Sequence, residues 1–179
     1  MKFSYWYVNN FLNKSEINTL NSYILKKGKP FLAQASTIKT AVCKCVPYVD
    51  LKVISKLSPT IYTINKKAFG FDIYSHYDNL FVLNTYDSKT KSEYKFHVDS
   101  EPPNENYTIK LTSLINLSQQ KYEGGELILH PTTHPITIKE FETPGALVVF
   151  PSFILHKVNP VTKGIRKSGL LFTTGHWWR

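Results

Sequence analysis

The sequence predicts a mainly β protein, a sandwich or barrel of seven or eight short strands with two helices packed against its outside. Three observations predict this fold class. Extended runs separated by turn residues fill the chain from Phe69 onward, and two amphipathic helical patterns precede them. Apolar residues make up 42% and aromatic residues 14% of the chain, as is typical of a globular, strand-rich protein.

This pattern predicts one domain over residues 1–179. We expect residues 1–68 to provide helical support and residues 69–179, approximately, to form the β core.

The N-terminal part is predicted to contain one strand and two helices. Residues 3–9 carry the β-branched and aromatic side chains of a strand. Asn13 or Ser15 can cap the first helix, whose apolar residues recur at helical spacing until Gly28 ends it. A second amphipathic pattern covers residues 49–67.

The β core is predicted from short extended runs bounded by turn residues. The dipeptides Gly124-Gly125 and Pro144-Gly145 mark tight turns between such runs. We predict strands near 70–76, 78–86, 93–98, 106–117, 125–130, 146–150, 153–158 and 165–174.

The charge of the chain does not by itself identify a partner. A formal net charge of +9 is compatible with an acidic partner such as nucleic acid, but the lysines are spread over the whole length. Only two of the 22 basic side chains are arginines, Arg166 and Arg179. Since nearly all the other basic residues are lysines, we expect the Arg166 guanidinium to bind a carboxylate or phosphate through two hydrogen bonds.

The sequence contains no apolar run that predicts secretion or membrane insertion. The opening residues lack the apolar core of a signal peptide, and no later run approaches the roughly 20 apolar residues of a membrane span. We therefore expect a soluble, cytoplasmic protein that does not bind a membrane. Cys43 and Cys45 are expected to be reduced thiols, because a bridge between residues so close would be strained.

Five residues form a pattern that indicates a metal site. His97 and Asp99 are two residues apart, so on a strand their side chains point to the same face. His156 ends a later apolar strand. Two histidines and one carboxylate on one side of a metal form the facial triad of non-haem Fe(II) oxygenases. Arg166, with Ser168 two residues further on, can hold the far carboxylate of a dicarboxylic acid.

Three segments, 94–99, 122–127 and 144–168, resemble the 2-oxoglutarate- and Fe(II)-dependent dioxygenases of the prolyl-4-hydroxylase-like superfamily, and the first and the last of them contain these five residues. The bacterial and phage hydroxylases of this type are especially similar. The resemblance implies a double-stranded β-helix, also called a jelly roll or cupin-like fold. It implies Fe(II), 2-oxoglutarate as co-substrate, O₂ and ascorbate as a reductant, and the cytoplasm of the host cell if a phage encodes the chain.

The resemblance also assigns roles to individual residues. His97, Asp99 and His156 would be the Fe(II) ligands and catalytic residues. Arg166 would pair with the C5 carboxylate of 2-oxoglutarate, and Ser168 would add a hydrogen bond. Four candidates for further contacts with the co-substrate stay open: Tyr86, Tyr94, Asn116 and Thr112.

The reaction that the resemblance implies is hydroxylation of an unactivated C–H bond, with release of succinate and CO₂. Asp99 favours hydroxylation, because halogenating relatives carry a small residue in its place. The expected substrate is a protein or peptide residue, as in prolyl hydroxylases, and loops 87–93 and 100–106 would receive the peptide. We expect a monomer or a small homo-oligomer.

Three alternatives remain at this point. A nucleobase substrate would suit the basic charge, but nucleobase-demethylating relatives carry a second arginine where this chain has Phe172. A small molecule is a second alternative. The third is a catalytically silent jelly-roll module that only binds its partner.

Overall fold

Two helices support the sheets on one side. Helix α1 (Lys14–Lys27) begins with a capping box, in which Asn13 and Glu16 each accept the backbone N–H of the other with their side chains. Helix α2 (Leu57–Ile64) continues into a π-helical turn, Asn65–Phe69. Neither helix, within the part of the chain that the structure describes, is long and apolar enough to cross a membrane.

The computed structural model describes residues 3–31, 38–100 and 107–177. Within these ranges the strands are β1 (Trp6–Val8), β2 (Lys29–Pro30), β3 (Val42–Pro47), β4 (Ser75–His76), β5 (Leu80–Asp87), β6 (Tyr94–His97), β7 (Thr108–Asn116), β8 (Glu123–Gly124), β9 (Leu127–His130), β10 (Ile136–Thr137), β11 (Leu147–Pro151), β12 (Leu155–Val158), β13 (Val161–Lys163) and β14 (Ile165–Gly175).

Two antiparallel sheets enclose the interior of the protein. The larger one has the order β1-β11-β7-β14-β5-β3-β2, with β4 paired to β14. The smaller one has the order β10-β9-β12-β6, and β8 and β13 form a separate pair. This arrangement of two facing sheets confirms the predicted mainly β class and the double-stranded β-helix.

The large sheet separates two hydrophobic clusters. Successive strand residues point to opposite faces, so Leu171 packs with α1 and α2, whereas the neighbouring Leu170 packs toward the small sheet. The same alternation places Val149 with the helices and Val148 between the sheets. The space between the two sheets, here called the barrel interior, therefore has its own apolar lining.

Each of the eight strands predicted for the β core overlaps a strand of the structure. The predicted N-terminal strand is shorter, and the predicted helix at 49–67 begins only at Leu57. Pro59 explains the late start, because its ring would clash with the carbonyl four residues earlier if the helix extended backward.

The segment 1–68 is not only helical, because β1, β2 and β3 belong to the large sheet. Strand β3 was not predicted at all. Cys43 and Cys45, which are free thiols as expected, point to one face together with Pro47, and Val42, Lys44 and Val46 point to the other. Such a run lacks the alternation of large apolar residues that identifies a strand.

Candidate metal centre

The predicted metal ligands come together at one end of the barrel interior. His97 ends β6 and lies directly opposite His156 of β12 in the antiparallel register. The carboxylate of Asp99 reaches both imidazoles, with 3.6 Å from Oδ1 to Nε2 of His97 and 3.3 Å from Oδ2 to Nε2 of His156. One ligand atom from each residue lies within 4.8 Å of the other two, so the three can hold one metal ion.

Hydrogen bonds fix the orientation of each ligand. Nδ1 of His97 lies 2.7 Å from the Lys95 carbonyl, and Nδ1 of His156 lies 2.8 Å from the Ile154 carbonyl. Each Nδ1 therefore donates to a carbonyl of the preceding backbone, which leaves both Nε2 atoms as acceptors for a metal. Thr112 donates its hydroxyl to Oδ2 of Asp99 at 2.7 Å.

The protonation states at neutral pH are those that metal binding needs. Burial, followed by the nearby His156, lowers the pKa of His97 from 6.5 to about 4. Burial raises the pKa of Asp99, but the two histidines and the Thr112 hydroxyl outweigh it, and its pKa lies below the usual value. The triad thus offers a neutral imidazole at His97 and an ionised carboxylate at Asp99.

Arg166 lies in the same interior and has an unusual environment for a cation. It begins the inward face of β14, is 1% exposed, and its Cζ lies 5.0 Å from the Tyr86 ring centroid and 5.2 Å from that of Phe141. Nη1 donates to the Ser168 hydroxyl at 3.4 Å. Nε and Nη2 are buried without a hydrogen-bond partner, and within residues 3–31, 38–100 and 107–177 no carboxylate forms an ion pair with Arg166.

The four further candidates for co-substrate contacts have different positions. Tyr86 lies against Arg166, and burial raises its pKa, so the phenol stays neutral. Thr112 bonds to Asp99. The Tyr94 ring is stacked on His97, with 3.4 Å between centroids. The Asn116 amide donates to the backbone carbonyls of Phe141 and Glu142 at 2.8 and 3.1 Å.

The hydrogen bonds of Asn116 give it a structural role. Its amide oxygen also accepts the Ser118 N–H at 2.9 Å, and its amide nitrogen lies 3.5 Å from the Tyr122 hydroxyl, so both ends of the side chain already have partners in the protein. Asn116 thereby fixes the turn that holds Phe141 against Arg166. Asn116 therefore positions Arg166 indirectly, because it holds the Phe141 backbone.

Two residues near the site were not identified from the sequence. A Cβ on Gly125 would lie 2.7 Å from Cδ of Arg166, so only glycine leaves room for this arginine. Lys39 is 8% exposed, and its Nζ lies 4.8 Å from the centroid of Tyr94. The Gly124-Gly125 dipeptide was interpreted as a turn signal only, and nothing in the sequence around Lys39 distinguishes it from the other lysines.

The His97, Asp99 and His156 group fits Fe(II), and Arg166 fits a carboxylate such as that of 2-oxoglutarate. Two imidazoles and a carboxylate are a donor set that Fe(II) accepts while other coordination positions stay open. The unpaired Nε and Nη2 of Arg166 are donors for a carboxylate, and their burial makes an uncompensated charge unfavourable.

Comparison with known proteins agrees with this geometry. The profile of the 2OG-Fe(II) oxygenase superfamily matches residues 81–173, which is more than half of the chain. The chain belongs to the 2OG-Fe(II) oxygenase superfamily. Members of this superfamily use Fe(II), 2-oxoglutarate and O₂, and all the residues of the His-Asp-His group and Arg166 lie within the matched region.

One curated relative within this superfamily is the PKHD-type hydroxylase YbiX of Escherichia coli, which is 38% identical over 84 residues. The match covers 44% of this chain and 36% of the relative, so the chain spans little more than a third of that protein.

Solved structures show the same fold at lower sequence identity. The viral collagen prolyl hydroxylase vCPH of Paramecium Bursaria Chlorella virus-1 has a TM-score of 0.75 at 18% identity and covers 97% of both chains. A prolyl hydroxylase of Trichoplax adhaerens, solved with a peptide fragment of the hypoxia inducible factor oxygen degradation domain, has a TM-score of 0.73 at 19% identity. It covers 95% of this chain and 83% of the other.

Proposed function

We propose that this protein is a 2-oxoglutarate- and Fe(II)-dependent dioxygenase that hydroxylates an unactivated C–H bond on a protein or peptide residue. One observation carries the proposal: Arg166 is buried without an anion among the described residues, in the same interior as the His97, Asp99 and His156 group. A metal triad alone would suit many enzymes. A buried, unpaired guanidinium beside it calls for a carboxylate-bearing co-substrate.

His97, Asp99 and His156 would hold the metal through two Nε2 atoms and a carboxylate oxygen. When bound, Fe(II) with 2-oxoglutarate and O₂ supplies the oxidising chemistry that hydroxylates a C–H bond and releases succinate and CO₂. Thr112 keeps Oδ2 of Asp99 in place through its hydrogen bond. A facial set of two histidines and one carboxylate would hold the metal and leave coordination positions for the co-substrate.

Arg166 would hold the distal carboxylate of 2-oxoglutarate with Nε and Nη2, the two groups that lack a partner. Nη1 is held by Ser168, and the rings of Tyr86 and Phe141 lie on the guanidinium. These contacts orient the Arg166 guanidinium before the co-substrate binds, so little side-chain entropy is lost on binding. The apolar lining of the barrel interior keeps water away from the reacting groups.

Two comparisons support a protein or peptide substrate. The relative from Trichoplax adhaerens was solved with a peptide fragment, and vCPH is named a collagen prolyl hydroxylase. We extend this substrate class to the present chain as part of the proposal. Of the two loops expected to receive the peptide, 87–93 borders β6, whereas residues 101–106 lie outside the described residues.

The proposal is tested by two measurements on the same preparation. Anaerobic addition of Fe(II) and 2-oxoglutarate should produce the weak visible charge-transfer band of the chelate. Succinate release is then screened with proline peptides, methylated oligonucleotides and free amino acids. A chelate band without stimulation by any peptide would contradict the proposed substrate class, and the absence of the band would contradict the proposed activity.

A further inference from the structure

Arg166, Lys39 and Lys110 are the buried cations of the described residues; Asp72 acts on Lys110, whereas Lys39 lies beside the metal centre. It forms a β-bridge with Tyr94, and directly opposed residues of a bridge extend to the same side of the sheet. The Lys39 ammonium lies 4.8 Å from the centroid of Tyr94, and the same ring is stacked on the metal-ligand candidate His97. Lys39 therefore lies one aromatic ring away from the metal centre.

The charge of Lys39 is not balanced by a carboxylate of the described residues. The ion pairs found in residues 3–31, 38–100 and 107–177 do not include Lys39. Glu93, next to Tyr94, contacts Thr40 only through its backbone, with its carbonyl accepting the Thr40 N–H at 3.1 Å. Because burial of an unpaired charge is costly, a lysine that is 8% exposed and has no counter-ion among the described residues is suited to bind the anion of a ligand.

The charges of the loaded site lead to the same conclusion. Arg166 and Lys39 each contribute one positive charge and Asp99 one negative charge, while Fe(II) and the two carboxylates of 2-oxoglutarate cancel each other. One positive charge remains in an interior of low dielectric constant. The metal and Arg166 would bind the two carboxylates of the co-substrate. The positive charge of Lys39 would then be balanced by an anionic group of the substrate.

We propose that Lys39 binds an acidic side chain of the peptide substrate, next to the residue that is hydroxylated. This inference rests on the proposed function and specifies its substrate class: a peptide with a glutamate or aspartate near the target residue. A nucleic acid fits the feature less well, because a phosphate backbone is usually followed by a row of cations and stacked bases. Lys39 is a single, enclosed cation covered by one ring.

The chain contains a matched control for this lysine. The Nζ atom of Lys157 lies 5.0 Å from the centroid of Phe96, almost the same geometry as Lys39 over Tyr94. Lys157 follows the inward-facing His156 on β12, so it points to the outer face of the small sheet, where Phe96 is 44% exposed. The two lysines thus share one type of contact and differ in the side of the sheet.

The experiment uses the protein loaded with Mn(II) and 2-oxoglutarate, which allows binding without turnover. A proline-centred peptide library carries glutamate, glutamine or lysine at the two positions on each side, and Kd is measured by fluorescence anisotropy. At one position or more, glutamate should bind about tenfold more tightly than glutamine, as is usual for one charge-assisted hydrogen bond. Lys39→Met should remove this preference, whereas Lys39→Arg and Lys157→Met should keep it.

Three outcomes would overturn the inference. The first is equal affinity for glutamate and glutamine at every position, including no binding of either. The second is a preference that survives in Lys39→Met while thermal unfolding shows that the variant is folded. The third is a methylated oligonucleotide that binds more tightly than the peptides and depends on Lys39, which would assign the cation to a phosphate.

The same variants separate this inference from the proposed function. Lys39→Met should still form the Fe(II)–2-oxoglutarate charge-transfer band, because the three metal-ligand candidates and Arg166 stay in place and no ion pair of the described residues includes Lys39. If the parent itself forms no band, the proposed activity fails, and a Lys39-dependent preference for glutamate would then describe a peptide-binding module. If the band forms and the preference is absent, only the role of Lys39 fails.

Discussion

The two ends of the barrel interior differ in how completely their polar groups are satisfied. At the metal end, the Nδ1 atoms of His97 and His156 bond to backbone carbonyls, and Asp99 accepts the Thr112 hydroxyl. At the other end, Nε and Nη2 of Arg166 have no partner among the described residues. The metal end is therefore formed by the protein alone, whereas the arginine end is complete only with an anion.

This difference assigns separate tasks to the two ends. A site whose ligands are already oriented loses little freedom when the ion binds, so its geometry determines metal affinity. A buried cation without an anion raises the free energy of the ligand-free protein, so an anion that binds there should stabilise the fold. Substitutions at one end should change one ligand's affinity and spare the other's.

The largest expected effect is at the metal end. His97→Ala removes one of three ligands, and we expect it to abolish the Fe(II)–2-oxoglutarate charge-transfer band and to weaken Mn(II) binding by about 100-fold or more. Electron paramagnetic resonance of free Mn(II) measures this loss. The exposed His134 provides the control, since His134→Ala should bind Mn(II) as the parent does. An intact chelate band in His97→Ala would contradict the assigned triad.

The next effect is at the arginine end. Arg166→Lys replaces a planar fork by a point charge, and we expect the Kd of 2-oxoglutarate to rise about 10- to 100-fold. The Kd of Mn(II) should stay within about twofold, because Arg166 contacts none of the metal ligands. Titration of the chelate band and Mn(II) resonance provide the two values. If both affinities fall together, the two ends are coupled and the distinction drawn here is wrong.

A smaller effect on the same end is expected from Gly125→Ala. Its Cβ would lie 2.7 Å from Cδ of Arg166 and 2.9 Å from Cγ2 of Val161, so the arginine must shift. We expect the Kd of 2-oxoglutarate to rise about tenfold, in addition to a loss of about 1 to 2 kcal/mol of unfolding free energy from the positive φ of 69°.

Gly70 provides a control that distinguishes backbone strain from displacement of the Arg166 side chain. It has nearly the same φ, 71°, but no atom lies within 4 Å of an added Cβ. Gly70→Ala should therefore lose about 1 to 2 kcal/mol in denaturant unfolding and leave the Kd of 2-oxoglutarate unchanged. Equal Kd values for the two variants would show that Gly125 has no part in positioning Arg166.

A last effect is a pH dependence at the metal end. The pKa of His97 is lowered to about 4 in the folded, metal-free protein, whereas the imidazole of the unfolded chain binds a proton near pH 6.5. The free energy of unfolding is therefore highest above pH 6.5 and falls by on the order of 2 kcal/mol as the pH decreases toward 4. Urea unfolding at several pH values measures it, and His97→Asn should flatten this part of the profile. An unchanged slope in His97→Asn would exclude His97 as its source.

The metal ligands and Arg166 could be proposed from the sequence, whereas the contacts of the residues around them could be proposed only in part. His97 and Asp99 are two residues apart on a strand, and the alternation of side chains already places them on one face. Arg166 was identified by its rarity and by its position after His156. These signals are local or compositional, so they do not depend on how distant segments meet.

The residues that complete the site depend on contacts between distant segments. Lys39 approaches the metal centre only because its segment pairs with β6, and Gly125 approaches Arg166 only through the turn between β8 and β9. Among the four open candidates, Asn116 had the right residue type but bonds to the turn before β11. Strand β3 was missed for a related reason, because its pairing with β5 stabilises a run of weak strand propensity.

The register that places His97 opposite His156 also has a consequence for folding. These residues lie on β6 and β12, and the chain between them includes β7, which is buried along its whole length, and β11. Their encounter requires a large loop to close, and such contacts form late and slowly. The metal centre would then be complete only after β6 and β12 have paired. Metal binding during refolding would thus report that this pairing has formed.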